Sequence, residues 1–141
     1  MKYIFILLMM IGLISCDKET SEPNGYQDNT IKLSTKELSF ASQLSTKEVT
    51  TEGEQWGMFI ITNEDTDLDY SEDNIVMTMG DIGKNENTPL KIEGDWFTIT
   101  RELKKISVEL KANDSNKKRV VKIGVNDRNY FDRVIVEQAG N

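Results

Sequence analysis

From Ile106 to Ala112 the chain alternates residue by residue, with Ile106, Val108, Leu110 and Ala112 on one side and Ser107, Glu109 and Lys111 on the other. A period of two puts the two sets on opposite faces of a β-strand, one against a core and one in water. The same period recurs from Ile31 onward, where apolar residues alternate far more often than they recur at three and four as in a helix. That alternation confines the domain to packed or closed β-sheets. The turn-forming run Asn113-Asp114-Ser115-Asn116 breaks the pattern, Arg119 to Val125 resumes it, Asn126-Asp127-Arg128-Asn129 breaks it again, and Phe131 to Gln138 closes the chain. This predicts a three-stranded antiparallel meander.

Upstream, Glu37 to Ser42 offers Leu38 and Phe40 on one face, and Lys47 to Thr51 offers Val49 among threonines. Gly57 to Thr62 is apolar on both faces through Met58, Phe59, Ile60 and Ile61, as a central strand would be. Ile75 to Gly80 and Leu90 to Glu93 are weaker candidates, and Trp96 to Arg101 is a strong one with Phe97 and Ile99 as its core pair. Short strands, polar turns and only two prolines describe an all-β domain, an immunoglobulin-like antiparallel β-sandwich of about 7–9 strands. A closed barrel is the alternative.

The amino terminus is different in kind. Met1-Lys2 is followed by an apolar stretch from Tyr3 to Ile14, then Leu13-Ile14-Ser15-Cys16, after which Asp17-Lys18-Glu19 is polar. A charged start and about a dozen apolar residues make a signal peptide, well short of the roughly 20 residues that span a bilayer. The tetrapeptide ending in Cys16 resembles the lipobox of bacterial lipoproteins, whose cysteine thiol is acylated and whose preceding peptide bond is cut. Cys16 is the chain's only cysteine. A lone cysteine can otherwise be a small buried residue or a reactive thiol, but its place directly after the apolar run favours lipidation. The resemblance implies a diacylglycerol thioether, often with a palmitate-type amide-linked chain, which supplies the second acyl group that stable anchoring needs.

Removal of residues 1–15 leaves 126 of the 141 residues, enough for one core. Residues 16–30 carry the lipid-bearing Cys16 and a polar segment with Pro23, Asn24 and Gly25 that has the composition of a flexible tether. A tether of this length spans on the order of 20 Å. The domain is expected over residues 31–141.

Three features together resemble the BACON domain of Bacteroidetes. They are an early Leu38-Ser39-Phe40 strand, the tryptophans Trp56 and Asp95-Trp96-Phe97-Thr98-Ile99, and a closing pattern. That pattern is Asn113, then Arg119-Val120-Val121-Lys122-Ile123, then Val134-Ile135-Val136-Glu137-Gln138-Ala139-Gly140. It covers the last third of the chain. The first half departs from the family, because Trp56 and Trp96 lie 40 positions apart and residues 63–94 read as an insertion or an elaborated pair of strands. The resemblance implies an exported sandwich of glycan-uptake lipoproteins, with a proposed carbohydrate-binding role.

The chain has no histidine, and with Cys16 committed to lipid the triads built on histidine or cysteine and the histidine zinc sites are excluded. The nine glycines are scattered and make no phosphate or dinucleotide loop. Carboxylate pairs exist among the 24 acidic residues, but short-turned sandwiches lack the cleft that glycoside hydrolysis needs. The expected protein is not an enzyme and needs no cofactor. With 17 basic residues against those 24, the balance of -7 argues against nucleic acid. Lys117-Lys118-Arg119 reads as a solvated hairpin end.

In the acidic run Glu64 to Asp73, Asp65, Asp67 and Asp69 invite a calcium reading. The EF-hand pattern fails at Tyr70, where glycine is required, and at Val76, where a glutamate is required. A solvated acidic loop is the preferred reading, with no metal site. Sugars stack on exposed rings, which makes Trp96, Tyr130, Tyr70 and Trp56 the candidate ligand-binding residues, Trp96 foremost and Tyr130 a weaker case near a hairpin turn, each with a core or sheet-rim alternative. Alternation places Trp96 opposite Phe97 and Ile99, beside Thr98 and Thr100 on the solvent face, whereas Trp56 beside Gly57 reads as core. The expectation is a non-catalytic binding lipoprotein of the outer membrane, surface-exposed or periplasm-facing. Its membrane contact is Cys16, and its partner is a glycan, mucin or a component of a glycan-uptake complex. The alternative is a structural or protein–protein interaction module with no carbohydrate ligand. A row of exposed aromatics among polar groups would favour glycan, and a continuous apolar patch a protein.

Overall fold

A computed structural model of the chain describes residues 29–62, 68, 74–82 and 85–141. Nine strands follow in chain order: β1 (Glu37–Phe40), β2 (Ser45–Thr50), β3 (Gly57–Ile61), β4 (Val76–Ile82), β5 (Asn85–Glu93), β6 (Phe97–Glu102), β7 (Lys105–Leu110), β8 (Arg119–Asp127) and β9 (Tyr130–Gln138). They form a β-sandwich of two separate sheets, with order β1-β9-β8-β3 in one and β2-β7-β6-β5-β4 in the other. All pairs are antiparallel except β1 with β9, which run parallel from Glu37 opposite Ile135 to Phe40 opposite Gln138.

The period-two residues meet between the sheets. Val49, Ile92, Ile99, Ile106, Val108 and Leu110 from the five-stranded sheet pack with Met58, Ile60, Val121, Ile123, Val125, Val134 and Val136 from the other, all buried. Each such side chain contributes about 1.5–3 kcal/mol by leaving water. The β4–β5 hairpin accounts for the strand pair anticipated within residues 63–94.

Three expectations are corrected. The run from Ile106 to Gln138 is not a meander: β7 pairs with β2 and β6, and residues 111–118 carry the chain across to the opposite sheet, where β8 begins. The strand therefore stops at Leu110, and Ala112, expected inward, is exposed. Gly57–Ile61 is an edge strand among the described residues, not a central one, since of the described strands β3 pairs only with β8. It is apolar on both faces because Met58 and Ile60 enter the core while Phe59 and Ile61 lie half-buried on the outer face.

Edges invite pairing with other chains unless they are blocked. On β1 the Thr35 hydroxyl accepts from the Glu37 N–H at 3.2 Å and donates to the Glu37 carbonyl at 3.0 Å. The Lys47 ammonium donates to the Ser39 carbonyl and lies 5.2 Å from the centre of the Phe40 ring. Side chains thus occupy the Glu37 N–H and the Glu37 and Ser39 carbonyls, which a foreign strand would need.

Candidate functional site

The two tryptophans sit at opposite ends of the sandwich, since β8 starts beside Trp96 and ends beside the loop that carries Trp56. Trp56 is fully buried, as its place beside Gly57 suggests. Its indole N–H donates to the carbonyls of Gly53 and Leu103, both at 3.2 Å. The Arg101 guanidinium lies over its ring at 4.5 Å. Arg101 is itself only 2% exposed; it reaches the Thr88 hydroxyl at 3.2 Å and the Glu54 carbonyl at 3.4 Å, and its Nε has no partner. Burial pushes its pKa down.

Trp96 is the main correction. Alternation puts it on the solvent face, yet it is 8% exposed. Period two does not reach it, because β6 begins at Phe97 and Trp96 sits in the bend before it. Its ring meets Phe97 edge-to-face at 5.2 Å and is covered by the Arg119 guanidinium at 4.6 Å. No face is left open for a sugar. Arg119, read as part of a solvated hairpin end, is drawn inward instead. Its Nη2 donates to Gln138 Oε1 at 2.6 Å and to the carbonyls of Lys111 and Ala112 at 3.1 and 3.2 Å. Burial lowers its pKa, partly offset by Asp114. Gln138, fully buried, returns its amide N–H to the Lys111 carbonyl at 3.0 Å. Nearby, the buried Asn113 amide donates to the carbonyls of Lys117 and Ala139 at 2.8 and 3.0 Å, while its oxygen accepts from the Ser115 hydroxyl at 2.7 Å. The residues of the closing pattern thus tie the crossover loop to the last strand.

Tyr130 is half-buried against the core, and its hydroxyl donates to Asp132 at 2.9 Å. Asp132 also accepts from the Lys36 ammonium and from the Arg133 backbone N–H, both at 2.8 Å. Burial opposes ionisation of Asp132, yet these donors, led by Lys36, hold its pKa below the ordinary carboxylate value. The Tyr130 pKa moves the other way, raised by burial and by the neighbouring carboxylate. Tyr70, Asp65, Asp67, Asp69 and Cys16 lie outside the described residues. Among the described residues no group of three or more acidic, cysteine or histidine side chains is placed to hold a metal ion.

The surface left available is one that reasoning from the tryptophans missed. On the outer face of the four-stranded sheet, Phe59, Ile61, Phe131, Asp132 and Arg133 line an open, shallow hollow. The register builds it: Phe59 stands opposite Gly124, Gly124 opposite Arg133, and Phe131 opposite Asn126. Gly124 is required there, because a Cβ at that position would collide with the Phe59 ring. Phe131 is 64% exposed. Two signals were visible in the sequence, the apolar outer positions of Gly57 to Thr62 and the Phe131, Arg133 alternation opposite Val134 and Val136.

No protein-family model matches the chain, and no curated protein matches it. Among solved structures it is similar to the NMR structure of a protein from Bacteroides thetaiotaomicron, at 18% identity and a TM-score of 0.58, covering 87% of this chain and 97% of that one. At that identity the likeness is one of fold.

Proposed function

We propose that the protein is a non-catalytic binding lipoprotein of the bacterial outer membrane, anchored through Cys16, whose contact surface is the outer face of the four-stranded sheet. The observation that carries this reading is the exposure of Phe131 beside Phe59 and Ile61 on a face that no described strand covers. Exposed apolar clusters of this kind mark interaction sites. The lipid anchor and the envelope location rest on the signal-type run and the tetrapeptide ending in Cys16. The resemblance to BACON domains supports the same setting.

Of the two ligand classes, an apolar partner is favoured over a sugar. A pyranose needs polar groups around the ring on which it stacks, and the Asp132 carboxylate is already occupied by Lys36, Tyr130 and the Arg133 N–H. A photo-crosslinking side chain at position 131, compared with one at Gln43 on the opposite end, tests the surface in intact cells. Adducts at 131 and none at 43 are expected, and their absence at 131 would remove the proposed face. A glycan array probed with residues 17–141 should stay blank. Binding there that Phe131→Ser abolishes would establish the sugar reading instead.

A further inference from the structure

We infer that the apolar partner of this face is the lipid bilayer itself, with the Trp56 end of the sandwich resting on the membrane and Phe131 in its interface. The inference deepens the reading just given and rests on its lipidated Cys16. It comes from where the chain joins the domain. The Thr30 hydroxyl donates to Asp127, the Ile31 carbonyl accepts from the N–H of Glu52 at 3.0 Å, and Asp127 is paired with Tyr130, one residue before Phe131. The described chain thus begins beside the turn that presents Phe131. Twelve residues separate Cys16 from Asn29, thirteen backbone steps with a reach of at most about 45 Å even when fully extended. The Trp56 end touches a membrane with chain to spare, whereas the Trp96 end does so only if the segment also runs the length of the domain.

The patch has the size this partner needs. Stable protein interfaces engage roughly 20–30 residues a side, and three apolar side chains fall far short. A bilayer contact needs less, because the anchor holds the domain at high local concentration and a weak interfacial contact then suffices. Leu103, 48% exposed in the β6–β7 turn, adds a second apolar tip at the same end. Most acidic side chains at this end have a cation beside them, which limits repulsion from anionic lipid: Glu52 and Glu54 pair with Lys32 and Lys104 at 2.7 and 3.1 Å, Glu48 and Glu102 share Lys105 at 2.9 and 3.2 Å, and Asp127 is followed by Arg128, exposed in the turn itself.

The test uses the lipidated full chain in phosphatidylethanolamine–phosphatidylglycerol vesicles. Cys16 is blocked by its lipid, so Asn129→Cys or Gln43→Cys supplies the only thiol for an environment-sensitive fluorophore. Quenching by brominated lipid should be severalfold stronger at 129 than at 43 and should fall to the level at 43 when Phe131→Ser is added. Equal, water-like emission at both positions would overturn the inference, as would a change at 129 that needs native outer-membrane protein, which would identify a protein partner. Mass analysis of the amino-terminal peptide separates the two readings. Missing lipid on Cys16 overturns the anchor and the inference together, whereas lipid present with water-like emission at 129 overturns the inference alone.

Discussion

Both ends of the sandwich use the same device, a buried tryptophan beneath an arginine whose Nε has no partner, yet the two are held in different ways. At the Trp96 end the guanidinium is one member of a network, bonded to Gln138 at 2.6 Å and to two carbonyls, with Asn113 fastening the crossover loop alongside. At the Trp56 end Arg101 is more deeply buried but among the described residues bonds only to the Thr88 hydroxyl and, at longer range, to the Glu54 carbonyl, so packing and the ring face hold it. A cation over an indole contributes about 2 kcal/mol when desolvated. The bonded end closes the fold, and the packed end carries the exposed Phe131 and the start of the described chain. Asn113, Arg119 and Gln138 of the closing pattern belong to that closure.

Four measurements break or sharpen that contrast. The largest effect is expected from Trp56→Ala, which opens a cavity and strands Arg101; urea denaturation should show a loss of about 5 kcal/mol, against about 3 for the less buried Trp96→Ala. Equal losses would mean that the two ends are energetically alike. Next, Arg119→Met should cost about 2 kcal/mol, because it leaves Gln138 and two carbonyls without their donor. Arg101→Met should be neutral within about 1 kcal/mol, since few bonds are lost and an unpaired buried charge is removed. A large loss at Arg101 would show that its thin contacts matter as much as the network does.

The third measurement concerns acid. Asp132 has a folded-state pKa below its unfolded value, so its stabilisation is present above roughly pH 4 and is lost as pH falls through the folded value. Asp132→Asn should cost about 1–2 kcal/mol at neutral pH and flatten the acid limb of the stability curve; an unchanged limb would reject the Lys36–Asp132–Tyr130 arrangement. The smallest change in stability, within about 0.5 kcal/mol, is expected from Phe131→Ser, even though it should abolish contact through the outer face. A substantial loss of stability would place Phe131 in the fold rather than at an interface.

Strands were legible wherever one face enters the core, as from Ile106 to Leu110 and from Val134 to Gln138, because period two survives any sheet assignment. Which sheet a strand joins was not. Asn113 to Asn116 reads the same whether the chain turns back or crosses over, and only the bonds from the Asn113 side chain to Lys117 and Ala139 decide between them. Trp96 escapes the pattern for a related reason, since it stands one residue before the start of β6, in a bend where alternation has no force. Phe59 and Phe131 were visible as apolar residues, but their meeting across Gly124 and Asn126 depends on register, which no local pattern states.

The parallel pairing of β1 with β9 also sets how the molecule bears load. The first and last strands lie side by side and run the same way, with Lys36 and Phe40 carbonyls taking the N–H groups of Ile135 and Ala139 at 2.8 and 3.0 Å. Tension between an amino-terminal anchor and Asn141 would draw the two strands past each other, so their hydrogen bonds would be sheared together rather than peeled apart in turn. Force applied between the two ends of the described chain would therefore meet the whole row of β1–β9 bonds at once.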